Sequence, residues 1–273
     1  MNPAAILLTV LVLATPVAGT THPDAGNAVS AHQSKTHPMR YWLSLPAGWT
    51  PGRSWPVVVV IADAHRDFRD NLQRFVAARG TRPLILVAPE VVTCGGTSGQ
   101  TSPPYAYTEP EWRAVQEAGA FAFDDAGLAA VLADVHSTWG GEEKPFLTGW
   151  EAGGHTVWEQ VLRRPERWRA VAPVSTNYLG RGLESGGYST APERRTLPIQ
   201  VFWCGAPTGD VAQSMAVLHA QTERALDEAR RHGFTTRPDR VVAGADHGPL
   251  PEAVLAWFDQ TRQAPRATGA VSR

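Results

Sequence analysis

The sequence predicts an α/β fold, in which a mostly parallel central sheet carries helices on both faces. Continuous apolar, β-branched runs such as 56–62, which are typical of buried parallel strands, recur along the chain. Segments with apolar residues at helical spacing lie between these runs, so strands and helices alternate. The chain has 273 residues, 43% of them hydrophobic, which is enough for one large domain with a substantial core.

Local periodicity and turn residues set the predicted order of the elements. The predicted strands are 40–45, 56–62, 84–88, 146–148, 170–174, 199–204 and 240–242. The predicted helices are 67–79, 124–139, 152–164, 211–232 and 251–262. Asp124 and Asp125 are interpreted as caps of their helix rather than as catalytic acids. The segment 92–109, rich in Gly, Ser, Thr and Pro, is predicted to be a long loop of the kind that is often functional.

The first residues are typical of a cleaved export signal. The apolar run 4–14 is too short to span a bilayer, and the small residues 17–19 suit cleavage after Gly19, although no Lys or Arg precedes the run. The protein is therefore expected to be secreted or periplasmic, with no membrane span. The predicted layout is a signal peptide at 1–19, a flexible leader at 20–37, an α/β domain at 38–263 and a disordered tail at 264–273.

Charge and residue spacing argue against several kinds of partner. The formal net charge is −1 and no Lys/Arg run is present, so nucleic acid is not expected as the main partner. The leader histidines His22, His32 and His37 match no metal-ligand spacing. We therefore expect no metal and no cofactor, and the oligomeric state stays open.

A glycine-rich turn between a predicted strand and a predicted helix is the strongest candidate for a functional site. It reads Gly-Trp-Glu-Ala-Gly-Gly at 149–154, and we call this segment the elbow. Small residues let the strand and the helix pass closely, and the sharp turn between them presents a single side chain. That side chain is Glu151, with Trp150 and Ala152 on either side of it.

Two further polar residues follow predicted strands. Asp210 comes after the strand 199–204 and a short loop, and His247 comes after the last strand in a loop bracketed by glycines. Ligand sites of open α/β sheets lie beyond the carboxyl ends of the strands, so both residues are candidates for the site of Glu151. Alternatively, Asp210 only caps the helix that is predicted to follow it.

The elbow lies in a block of sequence that resembles a known family. The segments 123–125, 146–155 and 170–175 are similar to the polyhydroxybutyrate-depolymerase and feruloyl-esterase branch of the α/β hydrolases. The resemblance implies an α/β-hydrolase fold, export and an ester-hydrolase ancestry. It also implies that Asp210 is the acid of a catalytic triad, that His247 is its general base, and that the backbone N–H of Ala152 is half of an oxyanion hole.

The sequence departs from the family at two places. The family motif is G-x-S-x-G, and its nucleophilic serine maps onto Glu151. The loop after the central strand, where the family usually has a His-Gly pair that supplies the other oxyanion donor, reads Ala-Asp-Ala-His at 62–65. Asp63 and Ala64 are therefore expected beside the oxyanion position, together with Trp150 in the cleft. A carboxylate there would oppose a developing oxyanion.

Several roles for Glu151 are compatible with these departures. As a nucleophile on an ester carbonyl it would form an anhydride, whereas on an alkyl carbon it would form an ester that activated water can hydrolyse. It can also act as a general base, or it can pair with a protonated His247 and raise that histidine's pKa. Two function classes follow: an exported hydrolase of esters or related bonds, or a non-catalytic protein whose cleft binds a small-molecule or polymeric ester-like ligand.

The two cysteines, Cys94 and Cys204, are predicted to be unpaired. In the strand order of the superfamily, the strands before them lie on opposite sides of the central strand, and several spacings of ~4.8 Å separate them. A disulfide requires Cα atoms within about 7 Å.

Overall fold

A computed structural model describes residues 27–95, 105, 107–205 and 210–263, with the backbone alone at 210 and 211. The predicted signal peptide, the start of the leader and the tail at 264–273 lie outside the described residues. Residues 96–104 and 106 of the predicted loop lie outside them as well.

The described strands form one eight-stranded sheet in the order β1-β2-β4-β3-β5-β6-β7-β8. β2 pairs antiparallel with β1 and with β4, and every other pair of neighbours in this sheet is parallel. The mostly parallel sheet predicted from the sequence is therefore confirmed. The strands are β1 (Ser30–Gln33), β2 (Arg40–Ser44), β3 (Val57–Ile61), β4 (Ile85–Pro89), β5 (Phe146–Glu151), β6 (Ala170–Thr176), β7 (Phe202–Cys204) and β8 (Arg240–Val242).

Helices cover both faces of the sheet, as predicted. Side chains alternate along a strand, so Val58 and Val60 of β3 pack on one face while Val57 and Val59 pack on the other. The first face is covered by α1 and α6, and the second by α2, α3, α4 and α5. The helices are α1 (Phe68–Arg79), α2 (Glu109–Ala118), α3 (Ala120–Trp139), α4 (Gly154–Arg163), α5 (Asp210–Arg231) and α6 (Pro251–Gln263).

Two expectations about the first half of the chain are wrong. Part of the segment assigned to a flexible leader is ordered structure, because Ser30–Gln33 form β1 and pair with β2 at the edge of the sheet. Asp124 and Asp125 are not caps, because α3 begins four residues earlier, at Ala120. The helix α2, which begins with a capping box between Thr108 and Glu111, is not among the predicted helices.

The parallel strands bring their carboxyl ends to one edge of the sheet. β3 leads to Asp63, β5 ends at Glu151, β7 ends at Cys204, and the loop after β8 carries His247. Residues that are far apart in sequence therefore meet at this edge, which is where open α/β sheets bind ligands. No helix within the described ranges is long and apolar enough to cross a membrane.

Candidate functional site

The elbow has the strained backbone that the sequence predicts. Glu151 ends β5 with φ 49, in the left-handed region that non-glycine residues adopt at a cost of about 1–2 kcal/mol. A Cβ on Gly153 would lie 2.5 Å from the carbonyl oxygen of Ala62, and one on Gly154 would lie 2.5 Å from that of Asn177. The two glycines therefore let α4 pass close to neighbouring segments, and the strained turn presents the Glu151 side chain.

The Glu151 side chain points toward the loop that follows β8. Its Oε1 lies 3.4 Å from Nε2 of His247, and 28% of the side chain is exposed. The backbone carbonyl of Glu151 accepts a hydrogen bond of 2.8 Å from the N–H of Asn177, which follows β6. Chain order and sheet topology thus bring together two of the predicted site residues, which are 96 positions apart in sequence.

His247 is partly buried beside two groups that favour its protonated form. Its ring packs 5.1 Å from the ring of Trp150. Hydrogen bonding to Cys204 and to Glu151 raises the pKa of His247 to about 9, against the effect of burial. Its Nδ1 is buried and has no hydrogen-bond partner among the described residues. The side chain of Asp210, the predicted acid of the triad, lies outside the described residues, and its backbone begins α5.

The loop after β3 places a buried carboxylate near the elbow. Only 8% of the Asp63 side chain is exposed, and its Oδ2 lies 2.7 Å from Nδ1 of His65. Ala64 lies between them in a turn. A hydrogen bond from the backbone N–H of Arg66 to the carbonyl of Asp63 closes this turn. This hydrogen bond from His65 to Asp63, together with the charges of Asp63 and Glu151, raises the pKa of His65.

No protein-family model and no curated protein sequence matches this chain. Solved structures match it over most of its length. A ferulic acid esterase has a TM-score of 0.53 at 13% identity, covering 86% of this chain and 96% of its own. A poly(3-hydroxybutyrate) depolymerase from Bordetella parapertussis has a TM-score of 0.57 at 20% identity, covering 86% and 91%. An S-formylglutathione hydrolase from Agrobacterium tumefaciens has a TM-score of 0.51 at 13% identity, covering 85% and 94%.

The chain has the α/β-hydrolase fold. At these identities the likeness concerns the fold, so the chemistry of the site has to be argued from its own side chains. The elbow, the loop after β3 and the loop after β8 all lie at the edge of the sheet that the carboxyl ends of the parallel strands form.

Both cysteines are free, as predicted. Cys94 follows β4 and Cys204 ends β7, and the sheet places β3, β5 and β6 between these two strands. Their thiols differ in acidity. Burial, reinforced by the charge of Asp124, raises the pKa of Cys94 to about 12. Burial also acts to raise the pKa of Cys204, but hydrogen bonding to His247 and to Gly248 outweighs it, so that the pKa of Cys204 is lowered.

Asp124 is a buried structural carboxylate rather than a cap. Its two oxygens accept hydrogen bonds from the backbone N–H groups of Val92 (2.9 Å) and Thr93 (2.8 Å), and the Thr93 hydroxyl donates a third. The Thr93 hydroxyl also contacts that of Thr156 on α4. Asp124 therefore ties α3 and the segment after β4 to the helix that begins at the elbow.

Sequence reasoning missed His65 as a site residue. In the loop 62–65, only Asp63 and Ala64 were predicted to lie at the site, beside the oxyanion position. The signal that could have found His65 is the Asp-x-His spacing directly after a buried central strand. In a tight turn this spacing brings a carboxylate and an imidazole within hydrogen-bonding distance, as the 2.7 Å contact shows.

Proposed function

We propose that this chain is an exported protein of esterase ancestry that does not hydrolyse esters by a serine mechanism and that uses its cleft for binding. In this proposal Glu151 stands where esterases of this fold carry serine. The observation that carries the proposal is the pairing of Glu151 Oε1 with His247 Nε2 at 3.4 Å. A carboxylate and an imidazolium neutralise each other there, in place of a hydroxyl and a neutral base.

His247 is poorly suited to act as a general base in this arrangement. A general base must be unprotonated at the working pH, and its pKa is best placed near that pH. With a pKa of about 9, only about 1% of His247 is neutral at pH 7. The hydrogen bonds of His247 to Cys204 and to Glu151 therefore remove most of its basic form.

The elbow is equally unsuited to acyl transfer. Glu151 offers no hydroxyl, and carboxylate attack on an ester carbonyl would give an anhydride. The tetrahedral intermediate of acyl transfer carries an oxyanion, which normally needs hydrogen-bond donors. Asp63 brings a buried carboxylate to the same neighbourhood. Two like charges 4 Å apart repel by about 4 kcal/mol at an effective dielectric constant of 20, which corresponds to roughly a thousandfold in rate.

A second candidate function is an active hydrolase in which Glu151 is the nucleophile toward an alkyl carbon, or a general base. The strained φ of 49 and the 28% exposure of the Glu151 side chain favour it, because both present the carboxylate to the cleft. In either function the proposed partner is a small-molecule or polymeric ester-like ligand.

The test of the proposed function is a paired assay of the natural protein and Glu151→Ser, each with and without His247→Ala. We expect the natural protein to show little turnover of short-chain esters and no labelling by serine-directed phosphonates. Glu151→Ser should gain weak esterase activity that His247→Ala removes, if Asp210 and His247 form a relay. Adding Asp63→Asn to Glu151→Ser should raise that activity by roughly 10²-fold, by analogy with the 10²–10³-fold effect of one oxyanion donor.

Ester hydrolysis by the natural protein that Glu151→Ala abolishes would contradict the proposal and favour the second candidate. Activity that is insensitive to both Glu151→Ala and His247→Ala would mean that the chemistry lies elsewhere. Export is tested separately by the intact mass of secreted material, which should correspond to a chain that starts near Thr20.

A further inference from the structure

Three side chains beside the elbow bring possible metal-ligand atoms close together. A carboxylate oxygen of Asp63, a ring nitrogen of His65 and a carboxylate oxygen of Glu151 all lie within 4.8 Å of one another. We propose that Asp63, His65 and Glu151 bind a divalent transition-metal ion, for which Zn²⁺ is the best match. This inference rests on the proposed function and deepens it, because it names a ligand for the elbow.

The distances among the three groups are close to those of a formed site. Zinc bonds to nitrogen and oxygen are about 2.0–2.2 Å long, so two ligand atoms on one tetrahedral ion lie about 3.4 Å apart. The donor atoms, which lie within 4.8 Å of one another, therefore need to approach by at most about 1.4 Å. The His65 and Glu151 side chains are 77% and 28% exposed and can make this adjustment, whereas the buried Asp63 is a fixed anchor.

The electrostatics of the cluster favour a cation. Glu151 and Asp63 bring two carboxylates to one imidazole, and Asp67 adds a further negative charge near His65. The guanidinium of Arg66, which follows His65 directly, packs over the Tyr105 ring, 5.2 Å from its centroid. His247 Nε2 lies 3.4 Å from Glu151 Oε1, so His247 would compete with a metal ion for the same carboxylate. A divalent ion would neutralise the two carboxylates more completely than His247 alone.

The donor set also indicates which ions fit. One imidazole nitrogen and two carboxylate oxygens are ligands that Zn²⁺ accepts readily, and they suit Fe²⁺ and Mn²⁺ as well. Three protein ligands leave a fourth position of a tetrahedral ion open toward the cleft. The two departures from the family, a carboxylate at the elbow and a carboxylate after β3, then have one explanation. They turn a site built for an oxyanion into a site built for a cation.

Calorimetric titration of the metal-stripped, full-length protein with Zn²⁺ tests the proposal. We expect one equivalent to bind and to raise the melting temperature, as a ligand of the folded state does. His65→Ala and Glu151→Gln should each weaken binding by about 100-fold or more, since loss of even a hydrogen-bond partner of a metal ligand costs roughly 10–100-fold. Asp63→Asn should do the same. If that buried variant fails to fold, the two partly exposed positions carry the test.

His232→Ala is the matched control. It removes another histidine that pairs with a carboxylate, at 3.1 Å from Glu228 on α5, and it should leave the affinity unchanged. The protein loaded with Co²⁺ should show no thiolate-to-metal charge-transfer band, because the nearby Cys204 is not a ligand in this proposal. Absence of binding, or binding that survives both His65→Ala and Glu151→Gln, would overturn it.

The metal site and the proposed function can fail independently. Ester turnover by the metal-free natural protein would contradict the proposed function and leave the calorimetric result standing. Ester turnover that appears only with Zn²⁺ and is lost in His65→Ala would support the metal site while contradicting a purely binding role. No Zn²⁺ binding and no turnover would overturn the metal site alone.

Discussion

The two sides of the elbow differ in what they contact: one packs against other segments, and the other carries ionisable side chains. On the packed side, Gly153 and Gly154 lie against backbone atoms of other segments, and His155 is buried behind them. On the charged side, the side chains of Glu151 and His247 lie 3.4 Å apart and are partly exposed. The packed side preserves the strained turn of the α/β-hydrolase fold. The charged side presents a carboxylate beside an imidazole.

This contrast shows that backbone shape and chemistry are specified by separate residues. The left-handed φ of Glu151 is held by the strand, the helix and the glycines around it, so the turn persists whichever side chain it presents. Substitutions on the charged side change the reaction that the turn can support at little cost in folding free energy. Substitutions on the packed side should instead damage the fold.

The largest effect is expected for Gly154→Ala. Its Cβ would lie 2.5 Å from the carbonyl oxygen of Asn177 and 2.9 Å from its nitrogen, and backbone atoms cannot yield easily. We expect a loss of about 3 kcal/mol or more in the free energy of unfolding, measured by urea denaturation. Glu151→Asn, on the charged side, should change it by less than about 1 kcal/mol, because Asn tolerates a left-handed φ.

Gly248→Ala is the control for the loss of a glycine as such. A Cβ there would meet nothing within 4 Å, so the free energy of unfolding should change by less than about 1 kcal/mol. If Glu151→Asn destabilised the protein as much as Gly154→Ala, the division between a packed and a charged side would be wrong.

The pKa values of the two histidines beside the elbow, His155 and His247, are shifted in opposite directions. Burial, followed by the charge of Arg181, lowers the pKa of His155 to about 4, whereas that of His247 is raised to about 9. Because His155 is neutral when folded, its contribution to stability is complete above its unfolded pKa of 6.5 and is lost as the pH falls toward 4. A shift of this size corresponds to roughly 3 kcal/mol.

Comparison with His155→Gln isolates this contribution. Between pH 7 and pH 4 the natural protein should lose about 2–3 kcal/mol more stability than the variant, as measured by denaturant unfolding at each pH. Parallel pH dependences for the two proteins would show that His155 is not held neutral by burial.

Much of the fold and of the elbow was predictable because the signals are local. The β-branched run 57–61 and the glycines of the elbow specify a buried strand and a tight turn by their own conformational preferences. The leader was misassigned because β1 is short and largely exposed, so its place at the sheet edge depends on pairing with β2 rather than on its own pattern.

The less predictable features depend on contacts between distant segments. Asp is a residue type that often caps helices. The role of Asp124 is instead set by the backbone N–H groups of Val92 and Thr93, about thirty positions away. Likewise, nothing in the local sequence says that Asp63 and His65 lie beside Glu151. Periodicity identifies elements, whereas such contacts follow only from the order of strands in the sheet.

The prediction with the smallest effect on stability and the most specific effect on reactivity is the relative alkylation rate of the two cysteines. At pH 8 a thiol with a pKa of about 12 is only about 0.01% ionised, so Cys94 should react slowly. The pKa of Cys204 is lowered through contacts on the charged side of the elbow. Iodoacetamide at pH 8 should therefore alkylate Cys204 at least about tenfold faster than Cys94, as read by peptide mass spectrometry. Both thiols are buried, so the ratio of the two rates, rather than either rate alone, reports thiol acidity.

His247→Ala should reduce the labelling rate of Cys204 and leave that of Cys94 unchanged, because only Cys204 interacts with His247. Denatured, unreduced protein should titrate with two free thiols. Faster labelling of Cys94, or equal rates for the two thiols, would show that His247 does not lower the pKa of Cys204. Cys204 would then not belong to the charged side of the elbow.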